Sequence, residues 1–372
     1  MKKLLLAGGG HAHVEVLRRL VLERPAGVEI TLVSAGRHAP YSGMLPGLIA
    51  GHYTFGECHI DLPLLAARAQ ARWVDANVAA LDPAKRLLML REGAALDYDV
   101  LSINSGSIPA SQQVPGVVDY AIAVKPVAGF LEGWERLFAR WREGQVQSIA
   151  VVGGGAAGVE VLLAMQHRMA ATRVKAVPQF HLLTDSAAVM PFHGAGARRV
   201  LERNLARKGV VVHVLARVTA VSADSVTANG QRIPADGVVW VTGAAPPAWL
   251  AKCGLARNGQ GFLDINHHLQ STVEPQVFAA GDCATISGCV YPKSGVYAVR
   301  QGPLLAQNVL CALRGEPLES YAPQPRALAL ISTGEQHAIA SWGAFSWHGN
   351  WVWRWKDRID RAFMAKYGPQ SP

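Results

Sequence analysis

The sequence predicts an α/β protein built on parallel sheets, and three observations carry that prediction. An apolar stretch at residues 4–7 runs into Gly8-Gly9-Gly10. Residues 11–23 then place Val14, Leu17, Leu20 and Val21 at helical spacing, and a second apolar run follows at 28–33. The same order returns 145 residues later: a strand-like run at 148–152, a complete G-x-G-x-x-G in Gly153, Gly155 and Gly158, a helical run at 159–169 and a strand at 180–183. Further apolar runs each close on a small-residue turn: 98–103 on Asn104-Ser105-Gly106, 237–241 on Thr242-Gly243-Ala244, and 277–280 on Gly281-Asp282. Glycines between a strand and a helix let backbone N–H groups and the positive helix end approach a pyrophosphate. One such turn is weak evidence; two in the same strand-turn-helix context are an internal repeat.

Composition narrows the class. The chain has 372 residues, half of them hydrophobic and 17% charged, which excludes disorder and implies more than one domain. Its 37 Gly and 21 Pro show no triplet period, which excludes collagen. No apolar run approaches the ~18 residues of a spanning helix. The start, Met1-Lys2-Lys3 and a short apolar run, imitates a signal peptide, but Gly8 ends it early and it reads as a first strand. Five cysteines without framework spacing predict reduced thiols and a cytoplasmic setting. A net charge of +9 suits an anionic partner. Nucleic acid is not expected, because basic and aromatic residues interleave only in the tail.

The remaining elements follow in order. Residues 113–123, with Pro115 and Gly116, predict a crossing between domains, and 294–313 predict an amphipathic helix. Five of the ten tryptophans fall in residues 342–355. That region reads as a hairpin of 338–342 with 347–352, turning at Gly349-Asn350, then a helix in which Trp351, Trp355, Ile359, Phe363 and Tyr367 recur every four residues beside Arg354, Lys356, Arg358, Arg361 and Lys366. Such a stripe suits packing over a neighbouring domain or peripheral contact with anionic lipid on the inner membrane face. Cys58, His59 and Asp61 are metal-ligand types too close together to close a site, so no metal is expected.

With these motifs the sequence resembles the FAD-dependent pyridine nucleotide-disulfide oxidoreductase superfamily, whose fold is a pair of Rossmann-like dinucleotide-binding domains of three-layer ββα type. The likeness runs to type II NADH dehydrogenases and sulfide:quinone reductases. Residues 41–47, 58–61 and 353–358 look like the branch found fused to selenide, water dikinase, which implies a functional link to that kinase. The resemblance implies a discontinuous FAD domain (1–112 and 250–322), an NAD(P)H domain (113–249) and a small α+β cap (323–372). FAD would be held by Gly8, Gly10, His11, Ala12, Ser34, Arg37, Val78, Asn104, Ser105, Gly106, Gly281 and Asp282, the last on the ribitol. NADH or NADPH would be held by Gly153, Gly155, Ala156, Ala157, Gly158, Asp185 and Gly243. Asp185 at a strand end would repel a 2′-phosphate and favours NADH. Glu160 would face the nicotinamide-flavin stack, and Lys293 would stabilise the reduced flavin.

Three departures shape the expected chemistry. Residues 41–50 hold no C-x4-C pair, which excludes a disulfide relay. Cys58 alone lies between the glycine motifs, unlike the cysteines of sulfide:quinone reductases. Val296 and Arg300 replace two glutamines of the type II dehydrogenase quinone motif. The expected function is therefore hydride transfer from NAD(P)H to FAD and direct delivery to a small-molecule acceptor. The alternatives are quinone or sulfide:quinone-type reduction at a membrane surface, and a non-catalytic FAD protein serving selenium metabolism.

Overall fold

The computed structural model describes residues 1–110, 114–289, 291–324 and 327–368, so the expected domain boundary at 112–113 lies outside the described residues. The first glycine-rich unit folds as β1 (Lys2–Ala7), α1 (His11–Leu22) and β2 (Val28–Val33), followed by α2 (Leu45–Ala50), β3 (Arg72–Val74) and β4 (Val100–Ile103). The second begins with β5 (Ala121–Ala123) and α3 (Val127–Arg142). It continues through β6 (Ser148–Val152), α4 (Ala156–Thr172), β7 (Gln179–Leu183), α5 (Ala195–Arg207), β8 (Val211–His213) and β9 (Gly237–Trp240). The chain then returns with β10 (Val277–Ala279) and α6 (Gly295–Arg314), and ends in β11 (Ala329–Ser332), β12 (Ala338–Trp342), β13 (Phe345–Gly349) and α7 (Asn350–Ala365).

The two units repeat one topology. The first sheet has the order β10-β4-β1-β2-β3 and the second β5-β9-β6-β7-β8, and every neighbouring pair is parallel. Leu4, Leu5, Leu6 and Ala7 are all buried, as a central parallel strand covered on both faces requires. In β6 the alternation separates two cores. Ile149 and Val151 join Phe130, Leu162 and Leu201 of the helices, while Ala150 and Val152 join Val218, Val226 and Ile233 of an antiparallel three-stranded meander. The first unit carries a matching meander, Val78–Asp82, Leu87–Leu90 and Ala95–Asp97. Each unit thus has three layers. The chain crosses between them where Ile108–Pro109 pairs antiparallel with Ala244–Ala245.

The C-terminal region differs from its expected hairpin. β12 pairs with β13 through a turn at Gly343-Ala344, where Gly343 takes φ +59°, and Gly349 precedes α7 rather than sitting in a turn. The aromatic stripe also divides. Phe363 stacks on Tyr41 at 4.2 Å, and the Tyr367 hydroxyl donates to Glu15 at 2.8 Å, so the end of α7 packs on the first unit. Trp351, Trp355 and Ile359 stay exposed, as do Trp342, Phe345 and Trp347 of the hairpin.

Candidate active site

The first glycine turn is held against β4. Gly8 takes φ +102°, and a Cβ there would lie 2.5 Å from the Asn104 carbonyl oxygen; one on Gly9 would meet Ser34 Oγ at 2.7 Å. Asn104 organises this turn. Its Oδ1 accepts from the N–H groups of Ala12 and His13, capping α1 from outside, and its Nδ2 donates to Ala280 O at 2.6 Å. His13 occupies the third glycine position, and the structure absorbs it. The ring is buried, Nδ1 donates to Gly8 O at 2.6 Å, and Nε2 accepts from the Ser102 hydroxyl at 2.8 Å. Burial pulls its pKa down to about 4, with the Gly8 bond opposing, so the ring is neutral at physiological pH. In the second unit Gly158 packs directly on the Gly153 carbonyl, where a Cβ could not fit.

Beside this turn the buried His11 Nε2 and Ser105 Oγ have no hydrogen-bond partner in the described protein. Asp282, just beyond β10, accepts from Lys125 Nζ at 2.6 Å and from Ser107 Oγ at 3.2 Å. Gly281, φ +74°, donates its N–H to buried Gln301 at 2.6 Å. Glycine cradle, unpartnered polar atoms and a carboxylate that accepts from hydroxyl and ammonium donors together fit a pyrophosphate followed by a polyol chain. Two of the expected site residues have partners within the protein. Arg37 donates from Nε and Nη2 to Asp61 Oδ2, at 2.9 and 2.8 Å. The Lys293 ammonium turns onto Ala284 O and Thr285 Oγ1, over the Phe262 ring, and burial lowers its pKa to about 8. Val78 opens the first meander, and Gly106 follows Ser105 at φ +69°.

The second turn is more open. Gly155 is the N-cap of α4 without a side-chain cap, and a Cβ on it would meet nothing within 4 Å. Ala156 and Ala157 begin the helix, so its first turn presents backbone donors and the positive dipole end to a pyrophosphate. Asp185 follows β7, and Gly243 lies at the crossing, donating no side chain to fill it.

A cluster of charged groups lies where both units and the cap meet. Glu160, at the start of the second turn of α4, accepts from the Ser332 N–H at 2.8 Å. Burial raises its pKa to about 7, opposed by Lys356 and the Ser332 bond. Lys356 of α7 is buried and donates to Asp360 at 2.6 Å and to Gly43 O at 2.5 Å. The Tyr41 hydroxyl is pushed up by burial first and then by Asp360. Residues 41–47 thus meet an ammonium of the cap where disulfide enzymes of this type would carry thiols. All five cysteines are free, and no group of three or more metal-ligating side chains converges among the described residues.

Sequence reasoning singled out Glu160 but not Asp360 or Lys125. The i,i+4 spacing of Lys356 and Asp360 was a readable signal. Lys125 offered only its position between the repeats.

Two parallel sheets, each with a glycine turn at the start of its first helix, define an α/β scaffold of paired Rossmann-like units. The chain belongs to the pyridine nucleotide-disulphide oxidoreductase family, which it matches over residues 2–307. FAD is typical of that family. The chain is 29% identical over 234 residues to an NADH dehydrogenase-like protein of Mycobacterium tuberculosis, an alignment spanning 61% of this chain and only 58% of that protein. It is 25% identical over 349 residues to the demethylphylloquinone reductase NdbB of Synechocystis, covering 89% of this chain and 85% of that one. The sulfide:quinone oxidoreductase of Aquifex aeolicus shares the fold, with a TM-score of 0.83 at 18% identity over 99% and 91% of the two chains.

Proposed function

We propose that this chain takes hydride from NAD(P)H onto FAD and passes the electron pair directly to a small-molecule acceptor A, so that NAD(P)H, a proton and A give NAD(P)+ and AH2. In this reading the first unit (1–112 and 250–322) holds FAD, the second (113–249) holds the nicotinamide cofactor, and residues 323–372 cap the acceptor side. The observation that carries it is the Glu160, Lys356 and Asp360 cluster, assembled from the second unit and the cap against the Gly43 carbonyl of the first. A direct acceptor must collect protons as well as electrons. Glu160, with a pKa near 7, can hold and release one at neutral pH, and the Lys356 ammonium sets the local field. No thiol relay takes part, since residues 41–50 contain no cysteine. Anaerobic NADH and NADPH titration of the purified flavoprotein tests the reading: bleaching supports it, and an unchanged spectrum contradicts it.

The exposed aromatic face of the cap supports a quinone drawn from a membrane as the acceptor. Trp351, Trp355 and Ile359 stand on α7 with exposed Arg354 and Arg358 between them, and Phe192, 95% exposed, lies near the β12-β13 hairpin. No described helix is long and apolar enough to cross a membrane, so contact would be peripheral. Relatives named for demethylphylloquinone and quinone reduction support the same acceptor class. Co-sedimentation with anionic liposomes and quinone-dependent NADH oxidation test it. The motifs at 58–61 and 353–358 support a setting in selenium metabolism, tested by co-purification with selenide, water dikinase.

A further inference from the structure

Lys125 is a cation that the motif pattern left unassigned. It lies two residues past β5, the edge strand of the second sheet, where Ala123 pairs with Trp240 and the Val124 N–H donates to Trp240 O. Its acceptor, Asp282, lies three residues past β10, the edge strand of the first sheet. Both residues therefore sit just beyond the C-terminal ends of parallel strands, the side on which such sheets bind ligands. The ion pair joins the two sheets across 157 residues of sequence.

The local electrostatics pose a problem that Lys125 solves. Asp282 is only 11% exposed, and its other described partner is the Ser107 hydroxyl, a neutral group. The nearby His11 ring, which faces both Asp282 and Lys125, is neutral because burial holds its pKa at about 4. Lys293, the other cation in the neighbourhood, spends its ammonium on Ala284 and Thr285. A polyol chain needs the carboxylate as a hydroxyl acceptor, yet that carboxylate lies beside the turn that would hold a doubly charged pyrophosphate. An uncompensated buried carboxylate repels such a group.

We infer that Lys125 is a positioning residue for the flavin dinucleotide. It neutralises Asp282 from the opposite unit, so that one site accepts both the polyol hydroxyls and the anionic pyrophosphate. Its side chain is 39% exposed, so the ammonium also contributes positive potential to the cleft between the units. The consequence is that flavin retention depends on the second unit being in place. This inference rests on FAD occupying the first glycine turn.

The test measures FAD dissociation from the holoprotein for wild type, Lys125→Met, Lys125→Arg, Asp282→Asn and the double variant Lys125→Met/Asp282→Asn, each at low and high salt. Loss of a charge-assisted bond predicts that Lys125→Met weakens FAD binding by about 10- to 100-fold. Lys125→Arg is expected to restore most of the loss. In the Asp282→Asn background the charge that Lys125 offsets is gone, so adding Lys125→Met should cost much less than it does alone. Raising salt should narrow the gap between wild type and Lys125→Met, which a purely structural defect would not do. If Lys125→Met does not fold, the arginine variant and a Lys125→Gln variant carry the comparison. Wild-type retention by Lys125→Met or Lys125→Gln, or strictly additive losses in the double variant, would overturn the inference. A wild-type protein that holds no flavin would instead sink the underlying assignment.

Discussion

Lys356 and Asp360 face each other across one turn of the last helix, both buried, with ammonium and carboxylate 2.6 Å apart and the Gly43 carbonyl as the second acceptor. The pair fastens the cap to the first unit where a redox disulfide would otherwise lie. Removing one partner leaves the other charge buried and alone. Lys356→Met is therefore expected to destabilise the fold by about 3 kcal/mol, and Lys356→Met/Asp360→Leu to recover most of that. Urea unfolding of the single and double variants checks this; equal destabilisation by both would contradict it.

Glu160 gives the protein a stability profile with a definite sign. Its pKa rises from 4.5 to about 7 on folding, so the fold favours the protonated form. Its contribution is fully present below about pH 4.5 and is lost as pH climbs through 7, a change of about 1–3 kcal/mol. Glu160→Gln should flatten this part of the profile and be the more stable protein at pH 8. Thermal melts from pH 5 to 8 measure it, and parallel curves for both proteins would count against the raised pKa.

The same residue predicts a kinetic signature. If Glu160 exchanges a proton with the acceptor, kcat for acceptor reduction should bend near pH 7, and Glu160→Gln should lose the bend and about 100-fold in rate. Anaerobic reduction by NADH should change far less. Stopped-flow measurement of the two half-reactions separates them.

Asp185 stands two residues past the end of β7, where an acid would meet the adenosine ribose and repel a 2′-phosphate. Asp185→Ser is expected to shift the NADH-to-NADPH ratio of kcat/KM toward NADPH by about tenfold. An unchanged ratio would show that cofactor choice is made elsewhere.

Trp351 and Trp355 stack on each other at 6.4 Å on the exposed side of α7. Replacing both with serine should lower unfolding stability by about 1–3 kcal/mol and leave the fold intact, because Trp351 is 53% and Trp355 39% exposed and each buries part of its ring. Co-sedimentation with anionic vesicles should fall sharply. Retained vesicle binding would place the membrane contact on another surface.

What could be read from residue order follows a physical divide. Parallel strands covered on both faces, such as Lys2–Ala7 and Ser148–Val152, advertise themselves as apolar runs, and the turns after them as glycines, so the paired architecture was legible. Nothing local says that the His13 ring, standing at the third glycine position, would pair with Gly8 O and Ser102 Oγ. The turn at Gly343 lost out to Gly349-Asn350 because both offer left-handed backbone, and only the pairing of Trp342 with Phe345 decides between them. Lys125 with Asp282, and Lys356 with Gly43, join residues 157 and 313 positions apart. Periodicity is local, and it carries no trace of such partners.

The most direct measurement is the visible spectrum of the purified chain under anaerobic titration with NADH. Bound flavin should be present and should bleach with one equivalent of reductant, then recover its colour when an acceptor is added, with thiol-blocking reagents having no effect. A protein that cannot be loaded with FAD, or whose flavin stays oxidised under excess NADH and NADPH, would contradict direct hydride transfer.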